Sequence, residues 1–390
     1  MQVKLKDIIF TVPDKKFQIK NSEILTNGLY QVVDQTSLTS GFYNDKSKCF
    51  SDGECILFCD HTSRIFYSNH EFVIGCDGIK IIKIKNGLNI NQKYIYYALL
   101  NNYHGDGKYR RHFGDLKDCE IFLPDIKIQN KIVDILSNID NQIERNDTII
   151  ERLQDLAQTT YSRWFNQFEF PNNEGESYKS NGGEFVYNKE LEKEIPIDWK
   201  VLSLSDCVSL NTRGISQVEE EGKQIVPVIN QKCIRNGNIL INEVYYHNDN
   251  KCLNNKLYFL DVLINSMGTG TLGRISPFII DMDCVHHSCV TLLRINQSII
   301  ISKAYLYLAI KQMETVITAM GTGSTGQTSL NNKELGKIKI LVPTPYVQNK
   351  FENIILPFFK QMQCINMENI NLINLKSKLL PLLINGQLNI

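Results

Sequence analysis

The chain says the same thing twice. Residues 94–99 read Tyr94-Ile-Tyr-Tyr-Ala-Leu99 and residues 305–310 read Tyr305-Leu-Tyr-Leu-Ala-Ile310. The echo returns at 121–132 (IFLPDIKIQNKI) and 340–351 (ILVPTPYVQNKF), and one constant offset carries Leu116–Ile132 onto Leu335–Phe351 without a gap. In both places a strand-like run stops at a proline, and Gln-Asn-Lys and a long helical pattern follow. A repeat that occurs twice, with a period near half the chain, predicts two diverged copies of one unit rather than a solenoid. Each copy reads as a mixed globule followed by a long helix.

With 390 residues, 43% of them hydrophobic, each copy is large enough to bury its own core. The opening MQVKLKDIIF has no apolar run before a small-residue cleavage site, so no signal peptide is expected. No stretch approaches the roughly 18 uncharged apolar residues of a membrane span. Eleven cysteines without a Cys-x-x-Cys pair suit reduced thiols and a cytoplasmic location. Net charge is zero, whereas free-standing DNA binders usually carry basic excess. Either DNA is not the partner, or other subunits carry much of the charge.

In residues 1–128 the runs Cys55–Phe58, Phe72–Ile74 and Ile79–Ile84 predict strands, and Tyr94–Asn101 a short helix. From Asn130 to Phe165 the pattern changes. Ile132, Leu136, Ile139, Ile143, Asn146, Ile150, Leu153 and Ala157 step by four and three, which is heptad spacing. About 36 residues at 1.5 Å each give a rod of roughly 54 Å. Asn146 is the one polar member of that seam, a residue type that fixes register in coiled coils. Residues 167–199 turn polar and read as a linker. Residues 200–345 repeat the strand-rich pattern, with strands expected at Ile225–Ile229, Val262–Asn265 and Val290–Ile295. A second seam follows: Phe351, Ile355, Phe358, Met362, Ile365, Asn369, Leu372, Leu375, Leu379 and Leu382. Pro357 is expected to kink that helix or mark its start, and Gly386 to stop it. The fold class is therefore α+β: two α/β domains, at 1–128 and 200–345, held apart by an antiparallel two-helix coiled coil from 129–166 and 346–390. This is a dumb-bell with pseudo-twofold symmetry.

Two glycine-rich segments match a dinucleotide fingerprint and are rejected. Gly268-Thr-Gly270-Thr-Leu-Gly273 continues into Arg274-Ile-Ser-Pro277, where proline opposes the helix that would hold a pyrophosphate. Gly321-Thr-Gly323-Ser-Thr-Gly326 follows a helical pattern rather than a strand, and Gln327 stands where a P-loop needs lysine. Both read better as turns or as loops touching a ligand's backbone. Cys284-Val-His286-His287-Ser-Cys289 offers metal-ligating types, but alternate residues of a strand face opposite sides and cannot easily converge. Lys108-Tyr109-Arg110-Arg111-His112 is the densest basic run, with an aromatic inside it. It occupies the position that the 321–328 loop occupies in the other copy, which suggests a ligand-facing surface that diverged, with phosphate or base contact here. No adenine-binding Asn-Pro-Pro-Tyr or Asp-Pro-Pro-Tyr, no nuclease cluster and no nucleophile with a base is visible, so no catalysis is expected of this chain.

Three longer strings carry a resemblance. They are Arg163-Trp164-Phe165-Asn-Gln-Phe168-Glu-Phe170-Pro171, then Gly175-Glu-Ser-Tyr178-Lys179-Ser-Asn-Gly182-Gly183-Glu-Phe-Val186, then Ile195-Pro196-Ile-Asp-Trp199. Together they resemble the central conserved segment of the specificity subunits of type I restriction-modification systems. Leu379-Leu380-Pro381-Leu382-Leu383-Ile-Asn-Gly386-Gln-Leu388 resembles that family's C-terminal segment, and Asp261-Val-Leu-Ile and the Gln129 and Gln348 positions also fit. The resemblance covers nearly the whole chain. It implies two target-recognition domains reading the halves of a bipartite, asymmetric site in double-stranded DNA, with two methylation subunits on the helices and restriction subunits beyond. No cofactor is expected in this chain; S-adenosylmethionine, ATP and Mg are implied for the partners. Candidate DNA-contacting residues are Lys108, Tyr109, Arg110, Arg111 and His112 in the first copy. In the second they are Gln231, Lys232, Gly270, Arg274, Thr322, Ser324, Thr325 and Gln327. Apolar residues beside the seams, Ile135, Ile149, Leu156, Ile354, Phe359 and Ile373, are expected to meet partners. The alternative is a coiled-coil adaptor that bridges two proteins without DNA.

Overall fold

The computed structural model describes residues 1–106, 108, 110–216, 226–248, 250–296, 301–323 and 328–388. Their contacts divide the chain into two units: Met1–Ile143 with Leu372–Ile390, and Glu144–Asn371. Both hold mixed helix and sheet.

Unit 1 is built around a four-stranded antiparallel sheet in the order Ile9–Val12, Ile79–Ile84, Cys55–Cys59, Ile65–Ser68. The inner strand Cys55–Cys59 is buried at all five positions, as an apolar run covered on both faces must be. A three-stranded sheet runs Phe42–Tyr43, Tyr30–Val33, Phe72–Ile74, with one antiparallel and one parallel pairing. Gln2–Lys4 pairs with Glu120–Phe122, tying the start of the chain to the strand before the first long helix. The helix Gln92–Asn102 buries Tyr94, Ile95, Tyr97, Ala98 and Leu99. These pack in one cluster with Leu136 of the first long helix and with Leu383 and Ile384 from the end of the second.

Unit 2 repeats this plan. Its four strands run Val208–Arg213, Val290–Ile295, Val262–Asn265, Ile275–Pro277, and its three run Tyr245–His247, Val226–Ile229, Val285–His286. The pairing senses are the same, including the parallel pair Val228–Val285 that answers Val32–Val73. Lys200–Ser203 pairs with Lys339–Val342 as Gln2–Lys4 does with Glu120–Phe122. The helix Lys303–Gln312 is buried at seven of its ten positions. The repeat legible in the tyrosine strings is thus a repeat of topology.

The first long helix spans Ile126–Tyr161 and continues as a π-helical turn, Ser162–Asn166. The second spans Pro345–Ile384. Proline suits its first position, where no amide donor is needed. The helix runs on through Pro357, so that proline is neither its start nor its end. Gly386, with φ +67°, follows as the left-handed stop. Within unit 2 the two helices run antiparallel, Tyr161 meeting Phe351 and Asn146 meeting Asn369. The Asn146 amide donates to Asn369 Oδ1 (2.9 Å), and Asn369 Nδ2 donates to Asp147 Oδ1 (2.9 Å). Both asparagines are buried, so their side-chain amides need such partners. Within unit 1, Lys376 pairs with Asp140 (2.5 Å) and lies over the Tyr97 ring.

The second seam needs correction. Phe359, expected on the partner face, is 1% exposed and packs edge-on against Tyr307. The buried positions step Phe351, Ile355, Phe359, Met362, because at 3.6 residues per turn two four-residue steps in succession stay on the core face. Farther on, Leu375 is 46% exposed and Leu382 36%, while Leu383 and Ile384 are buried. Residues 167–199 are more than a polar crossing: Phe185–Asn188 and Lys193–Pro196 form a hairpin. Phe168, Phe170 and Trp199 are buried and in ring contact, with Phe170 stacked on Tyr178 at 4.5 Å. The aromatic residues, not the polar ones between them, decide how this segment folds.

Candidate nucleic-acid interface

Three loops of unit 1 converge at one edge of its sheets. One follows the strand Tyr30–Val33; another is the turn Asp60–Arg64 between two strands; the third is the segment after the helix Gln92–Asn102. Thr62 Oγ1 donates to the Gln35 carbonyl (2.7 Å) and Arg64 Nη1 to the Thr36 carbonyl (2.6 Å), which joins the first two. Asp60, buried, accepts at Oδ1 from the backbone N–H groups of His112 and Phe113 (2.8 Å each), which anchors the third. Between them lies an open cleft of about 610 Å³ whose lining includes His61, Arg64, Tyr103, His104 and Lys108. Ile65, Phe66 and Leu100 line it too, so cationic and aromatic side chains that could meet phosphates and bases share it with aliphatic ones.

The same three places meet in unit 2. Asn265 Nδ2 donates to the Gln231 carbonyl (3.0 Å), joining the turn after Val226–Ile229 to the loop after Val262–Asn265. Leu330 N donates to the Ser266 carbonyl (2.9 Å), as His112 N does to the Asp60 carbonyl (3.0 Å). Thr322 and Ser329 exchange backbone hydrogen bonds (3.0 and 2.9 Å), and Arg213 Nη2 donates to the Leu330 carbonyl (2.8 Å). Gly273 has φ +85°, and a Cβ there would sit 2.1 Å from Thr318 Oγ1, so only glycine closes this loop. A strand, Ile275–Pro277, follows it rather than a helix.

The expected contact residues divide on inspection. Lys108 and Arg111 are exposed on the unit 1 loop, and Tyr109 lies outside the described residues. Arg110 is already engaged, with Nε 2.9 Å from Asp106 and Nη2 2.6 Å from Asp115. The Lys108 backbone N–H and then Arg110 hold the Asp106 carboxyl below the usual range, so the pair stays ionised. His112 is 1% exposed, and its Nε2 lies 2.8 Å from the Lys108 carbonyl. It braces the loop from beneath, which corrects its place among surface contacts.

In unit 2, Lys232 and Thr322 are exposed and Gln231 is half-buried. Gly270 is exposed and its carbonyl accepts from Arg274 Nη2 (3.1 Å), so Arg274 steadies its own loop. Ser324, Thr325 and Gln327 lie outside the described residues. Arg64 and Arg213, which no sequence motif marks, donate to the Thr36 and Leu330 carbonyls of these loops. Both sit at strand ends beside the loops, and no local motif marks a lone arginine at a strand end. In Cys284–Cys289, Cys284 and His286 are buried, His286 on the strand Val285–His286 at the edge of the three-stranded sheet, and burial pushes its imidazole down to about 4. Among the described residues no three His, Cys, Asp or Glu gather to hold a metal ion.

Of the expected partner-facing residues, Leu156 is 53% exposed, Ile149, Ile354 and Ile373 are exposed, and Ile135 is half-buried in the unit 1 core. No described helix is long and apolar enough to cross a membrane.

The family model for the type I restriction modification DNA specificity domain matches residues 1–155 and 196–375. Two curated relatives align over most of the chain. The specificity subunit of type I restriction enzyme MjaIX from Methanocaldococcus jannaschii is 28% identical over 287 residues, 70% of this chain and 62% of the relative. The match therefore spans less than two thirds of that relative's length. The specificity subunit of type I restriction enzyme HindI from Haemophilus influenzae is 23% identical over 326 residues, 71% of this chain and 70% of the relative. Among solved structures, the S subunit of a type I restriction-modification system from M. genitalium aligns with a TM-score of 0.52 at 17% identity, covering 98% of this chain and 96% of that one. At that identity the likeness speaks for the fold.

Proposed function

The chain belongs to the family of type I restriction modification DNA specificity domains, and we propose that it is the subunit of such a complex that reads DNA sequence. Unit 1 and unit 2 each contact one half of a bipartite site in double-stranded DNA. One observation carries the reading: the same three-loop cluster is built at equivalent places in both units, with different residues on it. A shared frame presents different side chains, so the two half-sequences differ and the site is asymmetric. The antiparallel helices form a coiled-coil spacer, and Leu156, Ile149, Ile354 and Ile373 on their outer faces meet two methylation subunits. These bring S-adenosylmethionine to adenine, and restriction subunits add ATP- and Mg-dependent cleavage in the cytoplasm. The chain itself performs no chemistry. Phosphate contacts shared with the methylation subunits account for its zero net charge. A bridging adaptor without DNA is favoured by no feature of the loop clusters.

The test exchanges residues 1–128 for the corresponding domain of a relative and maps methylated sites by methylation-sensitive sequencing. One half of the motif changes and the other stays. Simultaneous change in both halves would mean a composite recognition surface and would defeat the reading.

A further inference from the structure

The Gln-Asn-Lys string that opens both long helices has no part in the loop clusters, yet its glutamine is almost wholly buried in each copy, 2% exposed at Gln129 and 1% at Gln348. The two side chains make the same bonds. Gln129 Oε1 accepts from the Asn91 backbone N–H (3.0 Å), and its Nε2 donates to the Pro124 carbonyl (2.9 Å). Gln348 Oε1 accepts from the Ser302 backbone N–H (2.8 Å), and its Nε2 donates to the Pro343 carbonyl (2.8 Å). Asn91 and Ser302 are the N-caps of the equivalent globule helices. Pro124 and Pro343 follow the strands Glu120–Phe122 and Lys339–Val342 that lead into the long helices.

A second duplicated bond lies beside the first. Tyr94 Oη donates to the Phe122 carbonyl (2.7 Å), and Tyr305 Oη to the Leu341 carbonyl. Each glutamine therefore ties three things within its unit: the first turn of the long helix, the strand before it, and the capped start of the globule's own helix. A strand–helix junction has two free backbone torsions per residue. A buried amide bonded at both ends removes that freedom, because breaking either bond strands a buried polar group.

We infer that Gln129 and Gln348 are positioning residues that lock each globule at one rotational angle on its long helix, and so set how strictly the complex measures the spacing between half-sites. The inference rests on the DNA-reading function proposed above and adds a determinant of spacer length that touches no base. Rotating a loop cluster about the helix would shift its reach along the duplex, where successive base pairs lie 3.4 Å apart.

The experiment compares the full chain with its Gln348→Met variant, each assembled with the methylation subunits. Methylation is measured on duplexes whose half-sites are native and whose spacer is native, one base pair longer or one shorter. For Gln348→Met the preference for the native spacer falls about tenfold, the scale of one or two buried hydrogen bonds, while the preferred bases in both halves are unchanged. Gln348→Glu keeps the acceptor toward Ser302 and falls between the two; it carries the test should the methionine variant fail to assemble. Gln129→Met repeats the effect from the other copy. Undiminished spacer preference in an assembled variant overturns the inference, as does loss of activity that is equal at all three spacers, the mark of a merely structural role. If the unaltered complex methylates no bipartite motif, the DNA-reading function fails instead.

Discussion

Over the Asp60–Arg64 turn of unit 1 lies a basic segment fixed from below by a buried histidine; over the Ser266–Arg274 loop of unit 2, Thr322 and Ser329 form a backbone bridge, and the Thr328 carbonyl accepts from Gly268 N. Beneath the two segments little differs. The strand orders match, the pairing senses match, and the anchoring bonds to Asp60 and Ser266 fall at corresponding places. The buried frame is constrained by packing and by the need to satisfy every interior amide, whereas the loops answer only to what they touch. Duplication followed by divergence leaves this signature: conserved geometry under altered chemistry.

The sharpest way to break the comparison is at the helix ends. Trp164 and Phe165 of the first long helix occupy the unit 2 core, where Leu383 and Ile384 of the second occupy the unit 1 core at corresponding positions. Phe165 contacts Trp199, Tyr305 and Phe351. Phe165→Ala is expected to destabilise unit 2 by about 3–5 kcal/mol and Ile384→Ala to destabilise unit 1 by about 2–5 kcal/mol. Hydrogen exchange resolved by unit checks it; losses spread evenly over both units would refute the division.

A smaller effect separates the three-stranded sheets. His286 stands where unit 1 has Ile74, as the parallel registers show. Burial lowers its pKa from 6.5 to about 4, so the unfolded chain binds a proton below pH 6.5 that the folded chain refuses until about pH 4. Unit 2 should therefore lose stability as pH falls through that window, by on the order of 3 kcal/mol at the bottom of it. His286→Leu should remove most of that dependence. An unchanged pH profile in the variant would show that other groups carry the acid sensitivity.

The smallest expected change sharpens the loops themselves. Arg110 is neutralised by Asp106 and Asp115, while Arg111 stands exposed. Arg111→Ala should lower the salt slope of DNA binding by the assembled complex by about one, and Arg110→Ala by much less. Equal slopes for both variants and the parent would return the segment to an ordinary solvated loop. A changed base preference would instead place Arg111 in a groove.

Periodicity and repetition carried the reading of the strands and helices. The strands at Phe72–Ile74, Ile79–Ile84, Val262–Asn265 and Val290–Ile295 stand where their patterns place them; Phe72–Ile74 and Val262–Asn265 are buried throughout, since a run covered on both faces has few other ways to bury itself. Asn146 was legible as a seam residue since a lone polar position in a heptad breaks an otherwise uniform pattern. Asn369 stands on the second seam by the same spacing, but its pairing with Asn146 is not legible, for contact between segments more than two hundred residues apart leaves no mark in local spacing. Phe358 and Phe359 illustrate the same limit: adjacent aromatics fit the pattern equally, and packing against Tyr307 chose the second.

The site followed the same division. A dense basic run announced the unit 1 loop, but composition could not tell Arg111, facing water, from His112, which bonds inward to Lys108. Nor could it show that Arg64 and Arg213 belong beside the loops. By itself the sequence determined the twofold repeat, the places of the main strands, the long helices and the family, since these depend on patterns along the chain. Only the tertiary structure decided which side chains face outward and which glutamines brace a junction, because both depend on atoms brought together from distant segments.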